Sequence, residues 1–312
     1  MKRFLLKNQK FLYILLLVIL FTTLLVSGCS FQTFPETGKT SQTQTGDNLP
    51  EDRSLPSSSS LLEVNFIDVG QADSIFIKFP EGKTMLIDAG NNDDGDKIIS
   101  FIKKQCVKKL DVVVGTHPHE DHIGAMDDII NTFNIGKIYM PKVTTTTRTF
   151  KDVLTSIAVK NLKITTAMGG MTIPVEDDVK VEILAPNSAH YEDLNNYSAV
   201  IKVTYKSTSL LFTGDAEKLS EEEMLKLGFN LRADVLKVGH HGSSSGTSEE
   251  FLSAVSPKYA IISVAKNNDY GHPHKETLRR LAAYGVKVYT TADNGNILVE
   301  SDGKNIRVGR VN

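Results

Sequence analysis

The chain has 312 residues, 40% hydrophobic and 23% charged, so it carries enough apolar side chains for a substantial core. It is long for one average domain and short for three. With 35 basic and 37 acidic residues its formal net charge is −2, which argues against a broad, non-specific nucleic-acid-binding surface but leaves room for a small basic groove.

Lys2, Arg3, Lys7 and Lys10 precede an unbroken apolar run from Phe11 to Phe21, followed by small and apolar residues up to Cys29. This is the layout of a secretory signal peptide. The alternative is a retained membrane helix, for which the run is somewhat short against the roughly 20 residues of a full span. Val26-Ser27-Gly28-Cys29 resembles a bacterial lipobox, which implies cleavage before Cys29 and lipidation of that cysteine. Residues 1–28 are then a lipoprotein signal peptide, and the mature chain is extracytoplasmic, anchored by acyl chains to the bacterial cell membrane. Loss of the four leader cations leaves 31 basic against 37 acidic residues, a net charge of −6. Residues 29–60 are rich in Ser, Thr and Gln with few large apolar side chains, and read as a disordered linker.

From Leu61 to the end the texture is that of one folded domain, 61–312. Strands are expected at Leu62–Ile67, Ser74–Phe79 and Thr84–Ile87, separated by turns. Lys97–Lys109 has helical spacing. Cys106 lies in it and is read as a buried apolar residue rather than a metal ligand, since no second cysteine stands near. Asp111–Gly115 reads as an apolar strand and Asp127–Phe133 as a helix. Strands follow at Val179–Leu184, Ala199–Tyr205 and Ser209–Phe212. Then come a helix at Glu217–Leu227, a strand at Asp234–Val238, a helix at Glu249–Val255, a strand at Tyr259–Val264 and a helix at His274–Tyr284. Strands at Lys287–Thr290 and Asn296–Glu300 close the chain. Antiparallel strands first and βα alternation later predict an α+β fold, two packed sheets with helices outside.

Thr116-His117-Pro118-His119-Glu120-Asp121-His122 directly follows the apolar strand Asp111–Gly115. Three of the chain's eight histidines and a carboxylate within six residues are a dense set of borderline ligands, suited to zinc, manganese or iron. Leu210-Leu211-Phe212-Thr213-Gly214-Asp215 ends a second strand in a carboxylate that could bridge two cations. Val235-Leu236-Lys237-Val238-Gly239-His240-His241-Gly242-Ser243 releases two histidines from a third strand. Tyr270-Gly271-His272-Pro273-His274 follows a fourth. Each sits just past a strand, so all four can converge on one edge of a sheet sandwich.

His117-x-His119-x-Asp121-His122, with Ile87-Asp88-x-Gly90 before it and Thr213-Gly214-Asp215 after it, resembles the metallo-β-lactamase superfamily. Phe66-Ile67-Asp68-Val69-Gly70-Gln71-Ala72-Asp73, Leu236–Ser243, Ile261-Ile262-Ser263-Val264 and Tyr270–His274 are similar to the hydrolase domain of the DNA-uptake competence protein ComEC and its stand-alone relatives. The resemblance spans residues 61–312. It implies an αββα four-layer sandwich and one or two divalent ions, Zn or Mn. His117 and His119 would serve a first metal position; Asp121, His122 and His240 a second; and Asp215 would bridge both, with His241 an equal candidate for the place of His240. Asp88 would steady the ligand loop. Asn195, Ser198, His241 and Ser243 would contact substrate. Where the superfamily supplies a third histidine to the first metal, this chain reads Asp193-Leu194-Asn195-Asn196-Tyr197-Ser198, and nearby His190 is expected to be a solvated loop residue.

The reaction implied is metal-assisted hydrolysis, with Asp121 orienting the nucleophile and His272 hydrogen-bonding or protonating substrate. His274 reads as the start of a helix. Three functions remain open: a phosphodiesterase or nuclease acting on DNA or nucleotides, a lactone or amide hydrolase, and a metal-containing binding lipoprotein without turnover. The resemblance favours the first. A DNA channel would need a separate membrane protein.

Overall fold

The computed structural model describes residues 61–311. The expected leader, the expected lipidation site Cys29 and the expected linker to residue 60 lie outside the described residues. Among the described residues no helix is long and apolar enough to cross a membrane.

The domain opens on a meander of β1 (Leu62–Phe66), β2 (Ile75–Lys78) and β3 (Thr84–Ile87) and crosses through α1 (Gly95–Lys104) to β4 (Lys109–Val114). It continues through α2 (Glu120–Ile123) and α3 (Met126–Thr132) to β5 (Asn134–Met140), then through α4 (Arg148–Val159) to β6 (Ile164–Thr166). A second meander follows, β7 (Met171–Glu176), β8 (Val179–Ala185), β9 (Val200–Tyr205) and β10 (Thr208–Phe212). Helices and strands then alternate as α5 (Lys218–Lys226), β11 (Val235–Lys237), α6 (Glu249–Val255), β12 (Tyr259–Ile262), α7 (Lys275–Ala283) and β13 (Lys287–Thr290). Short α8 (Thr291–Asn294) leads into the closing hairpin of β14 (Ile297–Ser301) and β15 (Ile306–Arg310).

These strands form two mixed sheets, one ordered β15-β14-β1-β2-β3-β4-β5-β6 and the other β13-β12-β11-β10-β9-β8-β7. Strand alternation builds three apolar layers. Val112 and Val114 of β4 face the gap between the sheets with Leu210 and Phe212 of β10, and the rings of Phe66 and Phe212 meet there at 6.0 Å. Val113 points the other way, into a layer with Ile98 and Ile102 of α1, Met126 and Ile130 of α3 and Val153 of α4. Leu211 and Leu236 likewise face Met224 of α5, Phe251 of α6 and Leu281 of α7. Helix, sheet, sheet, helix is the αββα sandwich, and strands buried on both faces explain the uninterrupted apolar runs.

Two expectations need correction. The helix expected over Lys97–Lys109 ends at Lys104, because the chain turns at Gln105–Cys106 and begins β4 at Lys109. Cys106 occupies that turn with a left-handed φ of 59° and is exposed, not buried. The elements between Asn134 and Glu176 have weak sequence signals. β5 buries only its last three residues, β7 carries Pro174 and a register shift, and α4 begins after a run of threonines. Thr147 of that run caps α4, its Oγ1 accepting from Phe150 N at 3.3 Å.

Candidate metal centre

Strand direction gathers the site. β3 and β4 run parallel in one sheet, and β10, β11 and β12 run parallel in the other. Their C-terminal ends release Asp88, the His117–His122 segment, Asp215, His240 with His241, and the loop that carries His272. β9 is antiparallel to β10, so the segment entering it, Asn195–Ser198, arrives at the same end. The turn leaving β1 brings Gln71 and Asp73 there too.

The backbone at these ends is strained. Asp88, His240 and His241 take φ values of 60°, 48° and 51°, a region non-glycine residues occupy at a cost of about 1–3 kcal/mol each. Gly214, before Asp215, has φ 52°, and a Cβ there would stand 3.0 Å from the Thr116 Cβ. This glycine lets the Asp215 turn close onto the histidine loop.

Asp121, His122, Asp215 and His241 present one ligand atom each, all within 4.8 Å of one another. His241 Nε2 lies 3.2 Å from Asp121 Oδ2 and 3.6 Å from Asp215 Oδ2. His122 Nε2 lies 3.3 Å from Asp215 Oδ1, yet both atoms are buried and neither forms a hydrogen bond. An imidazole nitrogen and a carboxylate oxygen left unsatisfied at one enclosed point, within a set of two nitrogens and two carboxylates, fit a divalent cation. Asp88 sets the tilt of His122: its Oδ2 accepts from His122 Nδ1 at 2.8 Å, while its carboxylate also accepts from Thr116 N and Oγ1, each at 2.8 Å. His241 is turned the same way by its Nδ1 donating to the Ser263 carbonyl at 2.9 Å.

The two adjacent histidines thus separate. His241 is buried and inside the cluster, whereas His240, expected as the ligand, sits at the rim with its Nε2 3.8 Å from Asp215 Oδ2. Its Nδ1 faces Glu217 and Ser245, each at 3.2 Å. His241, expected either to touch substrate or to take the place of His240 as ligand, belongs with the candidate ligands.

Charge explains how the buried cluster is balanced. Burial disfavours the His122 imidazolium, but Asp215, Asp121 and Asp88 outweigh it and hold the pKa well above the usual histidine value. Burial lowers the His241 pKa as well, but Asp215 and Asp121 outweigh it and raise it. Asp215 is driven well below the carboxylate range: its burial is overcome by His122, His241 and Lys237. His117 is held neutral, mainly by burial and then by the charge on His122. Lys237 and Asp73 form a fully enclosed ion pair beneath the cluster, with Lys237 Nζ also donating to the Gly214 carbonyl at 3.1 Å. The signal for Lys237 was a lysine inside the otherwise apolar strand Val235–Val238.

His117 and His119 stand beside the cluster, His117 Nε2 facing His119 Nδ1 at 2.9 Å and its ring 4.2 Å from that of His122. Where a third histidine is absent, Asn195 is buried with its Oδ1 unpartnered and its Nδ2 3.5 Å from both Glu217 Oε1 and His240 Nδ1. His190 is exposed and pairs with the Tyr197 hydroxyl at 3.3 Å, outside the site. Ser198 and Ser243 do not face the cleft, contrary to expectation. Ser198 is fully buried, accepting from Asp215 N at 3.1 Å and able to donate to His117 Nδ1 at 3.3 Å. Ser243 braces its own loop through Ser245 at 2.9 Å.

A cleft of about 330 Å³ opens onto the cluster, lined by Asp121, Asp215, His240 and His241 with His119, Gln71, Asn195, Tyr270 and His272. Gln71 is fixed by Ala265 N donating to its Oε1 at 3.2 Å, so its Nε2 faces His272 Nδ1 at 3.4 Å. That nitrogen is the acceptor, which leaves the His272 Nε2 proton for the cleft. Burial, then the neighbouring His240 and His274, lower the His272 pKa to about 4. His272 is therefore neutral at neutral pH, suited to hydrogen bonding rather than to proton donation. His274 lies at the start of α7 as expected, its Nδ1 accepting from Ser244 N at 3.0 Å.

Fold and site together define a metallo-β-lactamase-type metal-dependent hydrolase. The sequence model of the metallo-beta-lactamase superfamily matches residues 67–266, and the chain belongs to that superfamily. It is 34% identical over 259 residues to ComE operon protein 3 of Bacillus subtilis, covering 78% of this chain and 33% of that protein. It is 30% identical over 230 residues to Competence protein ComA of Neisseria gonorrhoeae, covering 73% of this chain and 30% of that protein. It is also 29% identical over 243 residues to Recombination protein 2 of Haemophilus influenzae, covering 76% of this chain and 28% of that protein. The chain thus spans about a third of the length of these relatives. Among solved structures, CmlA, a diiron β-hydroxylase from Streptomyces venezuelae, superposes with a TM-score of 0.50 at 14% identity, covering 80% of this chain and 54% of that one, a likeness of fold alone.

Proposed function

We propose that the chain is a metal-dependent phosphodiesterase that acts outside the cytoplasm on DNA or nucleotides, with Asp121, His122, Asp215 and His241 as the principal metal ligands and zinc or manganese as the ion. His117 and His119 serve a second, weaker position that shares Asp215. The observation that carries this reading is Asn195 with its buried, unpartnered Oδ1 where a third histidine is missing. A phosphodiester brings anionic oxygens that can complete such a sparse site, and a neutral lactone or amide brings less. The relatives named as competence and recombination proteins support a nucleic-acid substrate.

A divalent ion bound here would lower the pKa of a water to about 7 and polarise the phosphoryl group. The chain's own residues do the rest. Asp121, partly exposed at the cleft and kept ionised by His122 and His241 against the effect of burial, orients the attacking water. His272, neutral, donates a hydrogen bond from its Nε2 to a substrate oxygen. Asp88 and the Ser263 carbonyl hold His122 and His241 in place.

The test is to load the purified protein with zinc or manganese and incubate it with single-stranded DNA, dinucleotides and lactones under matched conditions. Phosphodiester cleavage with manganese at least as effective as zinc is expected. Lactone cleavage without phosphodiesterase activity would sink the reading, and metal binding without any turnover would favour a binding role. The lipid anchor at Cys29 belongs to the same proposal: the protein should fractionate with membranes, and Cys29→Ser should block processing of the precursor. Processing of that variant like the parent, with lipid on neither, would remove the anchor. Work on DNA uptake would further require a separate membrane protein as partner.

A further inference from the structure

Among the described residues seven large hydrophobic side chains are exposed, and Tyr270 is the one that lines the cleft over the histidine–carboxylate cluster. Single exposed apolar residues are ordinary on a protein surface. Tyr270 differs in being both open and fixed. Its ring lies against His272 at 5.6 Å and an interplanar angle of 22°, so one face is covered, while the residue as a whole is 69% exposed.

The loop beneath it is braced. Asn268 Oδ1 accepts from Tyr270 N at 3.2 Å and from His272 N at 3.0 Å, and Asn268 Nδ2 donates to the carbonyls of His272 and Ala265 at 2.7 and 3.0 Å. The Tyr270 carbonyl accepts from His274 Nε2 at 3.2 Å. Ring contacts then lead inward, from His272 to His240 at 5.5 Å and from His240 to His241 at 6.3 Å. A flat ligand stacked on Tyr270 would therefore lie in the same cleft as the candidate metal ligands, with the rings of Tyr270, His272 and His240 between it and His241. Little ordering of the protein would be needed to receive it.

We propose that the open face of Tyr270 stacks a nucleobase of the substrate while a phosphodiester of the same molecule is held at the cluster, both within one cleft. Every base has a flat π-face, so this contact favours nucleotide chains over other phosphodiesters without selecting a sequence. The proposal rests on the phosphodiesterase reading and adds to it a contact with a base of the substrate in the same cleft. It makes Tyr270 a specificity-determining residue.

The experiment uses the full metal-loaded protein and two probes, a thymidine dinucleotide and the same phosphodiester with both bases removed. Equilibrium binding and KM are measured for the parent, Tyr270→Ala, Tyr270→Phe and Tyr270→Trp, together with metal content. The parent should prefer the dinucleotide. Tyr270→Ala should weaken dinucleotide binding and raise KM about tenfold, a loss within the range of one base–aromatic stack, and leave the abasic probe and the metal content unchanged. The Phe and Trp variants should behave like the parent. Equal losses on both probes, or no loss on the dinucleotide, would overturn the stacking role while leaving phosphodiester hydrolysis intact. A parent that neither binds nor cleaves either probe would overturn both readings together.

Discussion

Lys237 Nζ rests against the Asp73 carboxylate in full burial and lies 4.0 Å from Asp215 Oδ1, so the floor of the candidate metal centre is a closed ion pair. Burial alone would lower the pKa of the lysine, but Asp73 and Asp215 outweigh it and raise it. The ammonium thereby offsets part of the negative charge that Asp73, Asp88, Asp121 and Asp215 crowd into one place.

Lys237→Met leaves Asp73 buried without its counter-ion, a change that costs about 3–5 kcal/mol. Denaturant unfolding should show that loss, and the double variant Lys237→Met/Asp73→Asn should recover part of it. A single variant within 1 kcal/mol of the parent would show the pair to be dispensable.

Metal binding should release protons. In the metal-free protein the raised pKa values of His122 and His241 favour the imidazolium forms among the carboxylates, and a cation must displace those protons. Affinity should therefore rise with pH through neutrality. Calorimetric titrations in buffers of different ionisation enthalpy should give different apparent heats, and identical heats would contradict the charge balance described.

The neighbouring histidines offer a direct test of the ligand set. His241→Ala should lose metal along with Asp215→Ala, whereas His240→Ala should retain most of it. His190→Ala should change little; a tenfold loss of metal affinity, about 1.4 kcal/mol, would instead make His190 the missing ligand.

Asp88→Ala should weaken metal binding about 10–100-fold, because its carboxylate makes the shortest contact on the Nδ1 side of His122, at 2.8 Å against 3.4 Å for Thr116 Oγ1. A chelator competition titration measures this. An unchanged affinity would mean that packing alone holds the ring.

His272→Ala should lower turnover without altering metal content. In the parent the ring should remain neutral until the pH falls to about 4, visible as its NMR titration. An unfolded histidine titrates near 6.5, so between these values the unfolded chain binds more protons. His272 thus adds stability above about pH 6.5, lost as the pH falls towards 4. A midpoint near 6.5 in the folded protein would remove the neutral donor assigned here.

Most of the frame was legible in the residues themselves. Apolar runs such as Asp111–Gly115 and Leu210–Phe212 announce strands buried on both faces, and the ligand-bearing segments follow three such strands directly. Chemistry and periodicity are local, so His117–His122 and Asp215 stand out without a structure. What tertiary structure decided was orientation. Whether His240 or His241 enters the cluster depends on consecutive left-handed φ values and on the distant Ser263 carbonyl, 22 residues away in sequence. The placing of Ser198 behind the ligands, the pairing of Lys237 with Asp73 across 164 positions, and the exposure of Tyr270 over the cleft likewise arise only when separate strand ends meet. A side chain's neighbours there come from other parts of the chain, and no local pattern encodes the direction in which it points.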